Sequence, residues 1–175
     1  MNLFIVGFTL GSSPEAVALY RLYMDEDERE RTVLKQFLAA DVIDGTVHRD
    51  VNVGTSQLPD SPAHGQDSSV GEMITRTADA IIETDESDWI VQTAKTFEAS
   101  TFDTALGQVL VRDRLYRLDT GENTATTPAI VFNTVPWELD IDAVPATVDQ
   151  LTTIAEKTDV RVFVGQDMDF REIDP

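Results

Sequence analysis

The chain has 175 residues, with 13 Lys or Arg against 32 Asp or Glu, and a formal net charge of −19. Ile, Leu, Val and Phe fill 49 of those positions, above the ~20% level below which highly charged chains stay disordered, so one folded domain spanning residues 1–175 is expected. The balance disfavours nucleic acid and anionic membrane as partners, because no basic stripe is present, and the absence of Cys excludes disulfides, thiolate zinc sites and a cysteine nucleophile.

The acids are dispersed along the chain, Asp outnumbers Glu by 20 to 12, and only Lys35, Lys95 and Lys157 are lysines against ten Arg. Dispersion describes a surface and not an interaction tail. The composition resembles that of cytosolic proteins from salt-in halophiles, in which a short Debye length screens the self-repulsion. No run of ~18 apolar residues and no basic leader is visible, so a cytoplasmic, non-membrane location is expected.

In chain order, Asn2 to Phe8 reads as a buried first strand. Ser13-Pro14-Glu15 reads as a helix start. A helix over Asp25 to Ala40 follows, with Val33, Leu34, Phe37 and Leu38 on one face. Gly45 to Gly54 alternates Val47, Arg49, Val51 and Val53 against His48, Asp50 and Asn52, the pattern of a strand with one polar face. Thr55 to Gly71, rich in Pro, Gly and Ser, reads as a flexible loop. Glu72 to Thr84 is expected to be helical through Met73, Ile74, Ala78, Ile81 and Ile82, and Trp89-Ile90-Val91 to be a short strand. Val109 to Val111 and Leu115 to Leu118 are expected as two strands or one bent strand. Pro128 to Val135 is expected as a strand, Pro145 to Lys157 as a helix with Val148, Leu151, Thr152, Ile154 and Ala155 inward, and Val160 to Val164 as the closing strand. The last three form a possible parallel crossover. The fold class is α+β, a single mixed domain with a layered helix–sheet core.

No catalytic constellation is complete. Gly11, Ser12 and Ser13, between a strand and a helix, offer a weak anion site, but no phosphate-loop pattern accompanies them. His48 and His64 are the only histidines, and no nucleophile-elbow pattern supports a triad. His48, Asp50, Asn133, Glu138, Arg112 and Asp113 form a possible polar cluster, with Trp137 beside Glu138. Asp140, Asp142, Asp167, Asp169 and Glu172 look like cation ligands at strand ends, yet the Gly and distal Glu of a calcium loop are missing. No metal site and no cofactor are therefore assigned.

Phe102-Asp103, followed by Val109-Leu110-Val111-Arg112-Asp113-Arg114-Leu115, looks like a signature of asparagine-synthase-like glutaminase domains, and Phe4-Ile5-Val6-Gly7 is similar to that family's first strand. The resemblance implies the four-layer α/β/β/α arrangement of amino-terminal-nucleophile hydrolases. It also implies a scaffold without glutaminase activity, since the family's catalytic amino-terminal Cys is absent here. On the residues themselves, the first expectation is a non-catalytic binding or assembly domain with a protein partner or a second copy, Tyr20 and Tyr23 being available to such a surface. The alternatives are a metal-dependent hydrolase or transferase using Asp, Glu and His48, and the cysteine-less glutaminase-like scaffold.

Overall fold

A computed structural model describes residues 26–55, 75–94, 99–134, 145–166 and 169–173. The elements are α1 (Glu26–Ala39), β1 (Thr46–Val53), β2 (Arg76–Glu83), β3 (Asp88–Ala94), α2 (Ala99–Thr120), β4 (Thr126–Thr134), α3 (Pro145–Thr158), β5 (Arg161–Gln166) and β6 (Asp169–Glu172). The six strands make one sheet in the order of the chain. β1, β2 and β3 form an antiparallel meander, β3, β4 and β5 run parallel, and β6 returns antiparallel. Helices α2 and α3 are the crossovers that parallel pairing requires, and the expected α+β fold is the observed one.

The sheet is covered on both faces. On one, Val33, Leu34 and Phe37 of α1 pack on Ala80, Ile82, Val91, Ala129, Val131 and Phe163. Phe37 meets Phe163 and Phe170 with ring centroids 5.2 and 5.3 Å apart. On the other, Phe102, Ala105 and Val109 of α2 and Ala155 of α3 pack on Ile81, Ile90, Ile130, Phe132, Val162 and Val164. Strands buried on both faces lose polar alternation and read as apolar runs.

That double burial explains the first correction. Residues 76–83 form strand β2 and not the expected helix. Ala78, Ala80, Ile81 and Ile82 are all buried, and two-sided burial mimics helical spacing over so short a run. The second correction concerns the region expected as one or two strands, where Ala99–Thr120 is a single 22-residue helix. Phe102, Ala105, Val109 and Asp113 are its buried stripe, a helical spacing that the local runs Val109-Leu110-Val111 and Leu115-Tyr116 disguised. Gly121 ends the helix at φ +129, its N–H bonded to the Arg117 carbonyl at 2.8 Å.

Ile154 on α3 is 37% exposed and not inward. β5 does not close the fold, because β6 adds an edge beyond it. Val47 on β1 is 40% exposed, since among the described residues β1 is paired on one side only and is buried only at its carboxyl end. The expected first strand, the helix starting at Ser13 and all but the first residue of the 55–71 loop lie outside the described residues.

Candidate functional site at a fork in the sheet

The β2–β3 ladder begins with Glu83 opposite Asp88 and ends with Ala80 opposite Val91. Both strands continue past that point, β2 toward Arg76 and β3 toward Ala94. There each keeps its other neighbour, β2 pairing β1 as far as Val53↔Arg76 and β3 pairing β4 as far as Ala94↔Phe132. The sheet therefore forks between β2 and β3. Ala78 belongs to the cluster beneath α2 and Ala80 to the one beneath α1. Residues two apart in a regular strand share a face, so β2 turns over at Asp79, where the fork opens.

A single carboxylate oxygen bridges the opening. Asp79 Oδ2 accepts the Thr93 N–H at 2.8 Å, the Thr93 hydroxyl at 2.6 Å and Gln92 Nε2 at 3.0 Å. It replaces the backbone bonds that the divergence removes, as buried backbone donors require. Gln92 Nε2 also donates to the Thr93 carbonyl at 3.2 Å. Two acceptors on that atom fix the orientation of the amide. Its other end, Gln92 Oε1, is buried without a hydrogen-bond partner among the described residues, on a residue only 4% exposed. An orphaned buried acceptor costs ~1–3 kcal/mol. All donors recorded on Asp79 among the described residues go to Oδ2.

Helix α2 ties down the splayed arm. Arg112 Nε donates to the Thr77 carbonyl at 2.6 Å, and Asp119 Oδ2 accepts the N–H groups of Gly54 and Thr55 at 2.7 and 3.1 Å. Thr77 in turn donates its hydroxyl to Asn52 on β1. Asp50 of β1 lies across from Asp79, between the pairs Arg49↔Ala80 and Val51↔Ala78, and neither aspartate joins the ladder.

The expected polar cluster is not assembled as a unit. Asp50 lies exposed on β1, on the far side of β2 from the fork, and Arg112 braces β2 through the Thr77 carbonyl. Asp113, adjacent in sequence to Arg112, is turned inward at 2% exposure and pairs with Arg117, leaving its Oδ1 and the Arg117 Nε without partners among the described residues. His48 is an exposed neighbour of Glu83, at 3.3 Å. Asn133 lies on β4 in register with Gly165 of β5, three strands from β1. Glu138, Gly11, Ser12 and Ser13 are outside the described residues. Of the acids read as cation ligands, Asp169 starts β6 and Glu172 pairs with Arg161. Arg112-Asp113-Arg114 lies within α2. A second polar group surrounds Tyr116, whose hydroxyl donates to Asp88 Oδ2 at 2.9 Å. Burial first, and then the bond to Asp88 and the charges of Asp88 and Glu83, push the Tyr116 hydroxyl well above its ordinary range.

Asp79, Gln92 and Thr93 were missed in the sequence. Their signal was present all the same: an acid inside the run Ala78 to Ile82, and an amide inside Trp89 to Ala94. Among the described residues no three His, Asp or Glu side chains converge as a metal site, and no helix is long and apolar enough to cross a membrane. Comparison with protein-family models, curated proteins and solved structures gave no match.

Proposed function

We propose that the chain is a metal-dependent hydrolase or transferase whose cation binds in the fork, on Asp79 Oδ1 and Gln92 Oε1. The observation that carries this reading is the buried amide oxygen of Gln92, without a partner among the described residues, on an amide bonded to a carboxylate whose Oδ2 is already committed. A hard divalent cation such as Mg²⁺ or Mn²⁺ takes oxygen donors, keeps several waters and needs only one or two carboxylates from the protein. Bound there it would polarise an ester or phosphoryl oxygen and acidify a bound water. The chain's own part is positional: Asp79 holds Thr93, and Arg112 and Asp119 hold the splayed arm open. His48 has no part in this reading, since its neighbour is Glu83.

The test is turnover of chromogenic phosphate monoesters, phosphate diesters and carboxylic esters with Mn²⁺ or Mg²⁺ in molar KCl. Hydrolysis of at least one class, lost with chelator and in Asp79→Asn, is the expected result. No turnover of any class under these conditions contradicts it.

A binding or assembly role is the second reading, favoured by strand β1, which among the described residues has a partner on one side only and carries the exposed Val47. Light scattering in molar salt separates the two, because a strict monomer without a co-purifying partner removes the assembly reading. A high-salt cytoplasm is proposed as the setting on composition alone, from the dispersed acids and scarce lysines.

A further inference from the structure

The β1–β2 ladder is interrupted at one level. Asp50 and Asp79 both drop out of the pairing there, between Arg49↔Ala80 and Val51↔Ala78. Asp50 takes φ 51 at that level, a left-handed backbone inside a strand. β2 turns over at the same level, since Ala80 packs beneath α1 and Ala78 beneath α2. Beyond it, residues 51–53 and 76–78 form a tip that no longer pairs with β3. The two strands of the tip stay joined by their register and by the Thr77 hydroxyl, which donates to Asn52 Oδ1 at 3.0 Å. Helix α2 holds this tip from one side. Arg112 Nε donates to the Thr77 carbonyl at 2.6 Å, and Asp119 Oδ2 accepts the Gly54 and Thr55 N–H groups at 2.7 and 3.1 Å. Arg112 and Asp119 are two helical turns apart and so share a face of α2. The bonds to Thr77 and Thr55 are exposed, where water can take over either partner.

We propose that this tip is a conformational switch, released from α2 as one unit by pivoting at Asp50 and Asp79 and docked again through Arg112 and Asp119. A pivot is a few residues that absorb a change of backbone direction, and the ladder has no register pair to break at that level. The side chains that release uncovers are small, Val53 and Ala78 being the fully buried ones of the tip. Asp79 connects the switch to the fork, because it holds Thr93 and Gln92 of β3 while serving as the pivot. In this connection the inference rests on the cation site proposed above. A cation on Asp79 fixes the pivot residue, so occupancy opposes release and release weakens binding, the two effects being reciprocal.

Residue-resolved amide hydrogen exchange on the full chain in 1 M KCl reads such a local opening directly. Asp119→Ala is expected to speed exchange tenfold or more at residues 51–53 and 76–78 together, while residues 81–83 and strands β3 to β5 exchange as before. Residues 76–78 are the decisive ones, because they lie on the other strand from Gly54 and Thr55. Asp119→Asn keeps an acceptor oxygen and should retain most of the protection. Saturating Mg²⁺, with its binding followed by calorimetry, is expected to slow the same set tenfold or more. No acceleration in Asp119→Ala, or one spread evenly over the sheet, overturns the switch and leaves the cation site standing. Mg²⁺ that binds without slowing the set overturns the connection to the fork. If Mg²⁺ does not bind, the cation site falls and the connection with it, while Asp119→Ala still decides the switch.

Discussion

Asp79 does with one side-chain oxygen what several backbone bonds do elsewhere in the sheet, and its position in the run Ala78 to Ile82 shows why. An ionised carboxylate among buried alanines and isoleucines persists only when hydrogen-bonded, and three donors converge on its Oδ2. Tyr116 illustrates a residue with a different consequence. Its hydroxyl is held protonated in the folded chain, by burial and by the two carboxylates near it, to a higher pH than in the unfolded chain. The folded form therefore retains a proton that the unfolded form releases, so this contribution is complete below the unfolded value of ~10 and is lost as pH rises beyond it. Tyr116→Phe should flatten the alkaline limb of the stability profile, as urea melts between pH 9 and 11 will show. An unchanged slope would mean that the hydroxyl titrates alike in both states.

Elements were legible where one face alone is buried or where an apolar run is bounded by turns. Helix α1, with Val33, Leu34 and Phe37 inward, and strands β3, β4 and β5 lie within two or three residues of expectation. β2 and α2 were not legible, for opposite physical reasons. β2 is buried on both faces, so its spacing carries no period. The buried stripe of α2 includes the charged Asp113, so the helical period is broken by a residue that reads as surface. The fork was beyond sequence reasoning, because it depends on where a ladder stops and joins residues thirteen positions apart. Helix α2 bears much of the structure: Phe102 stacks on Phe132 at 6.3 Å between ring centroids, and the same helix braces the open arm through Arg112 and Asp119. Phe102→Ala should cost about 3–5 kcal/mol in urea unfolding, the usual range for a buried phenylalanine. A loss below about 1 kcal/mol would show that α2 is not a core helix.

At the scale of the whole molecule, the described strands form one sheet packed between helices, which opens at the junction of its antiparallel and parallel halves. β3 is the common strand, pairing antiparallel with β2 and parallel with β4. The net charge of −19 bears on this in one respect: diffuse attraction of any divalent cation must be separated from a built site. Calorimetric melting in molar KCl at matched ionic strength makes that separation, comparing the native chain with Asp79→Asn, each with and without Mg²⁺ or Mn²⁺. A site filled at a hundred times its dissociation constant stabilises by about 2.7 kcal/mol, or roughly 5–10 °C for a chain of this size. Such a rise is expected for the native chain and none for Asp79→Asn. Equal melting temperatures with and without cation, or equal rises in both proteins, would contradict it.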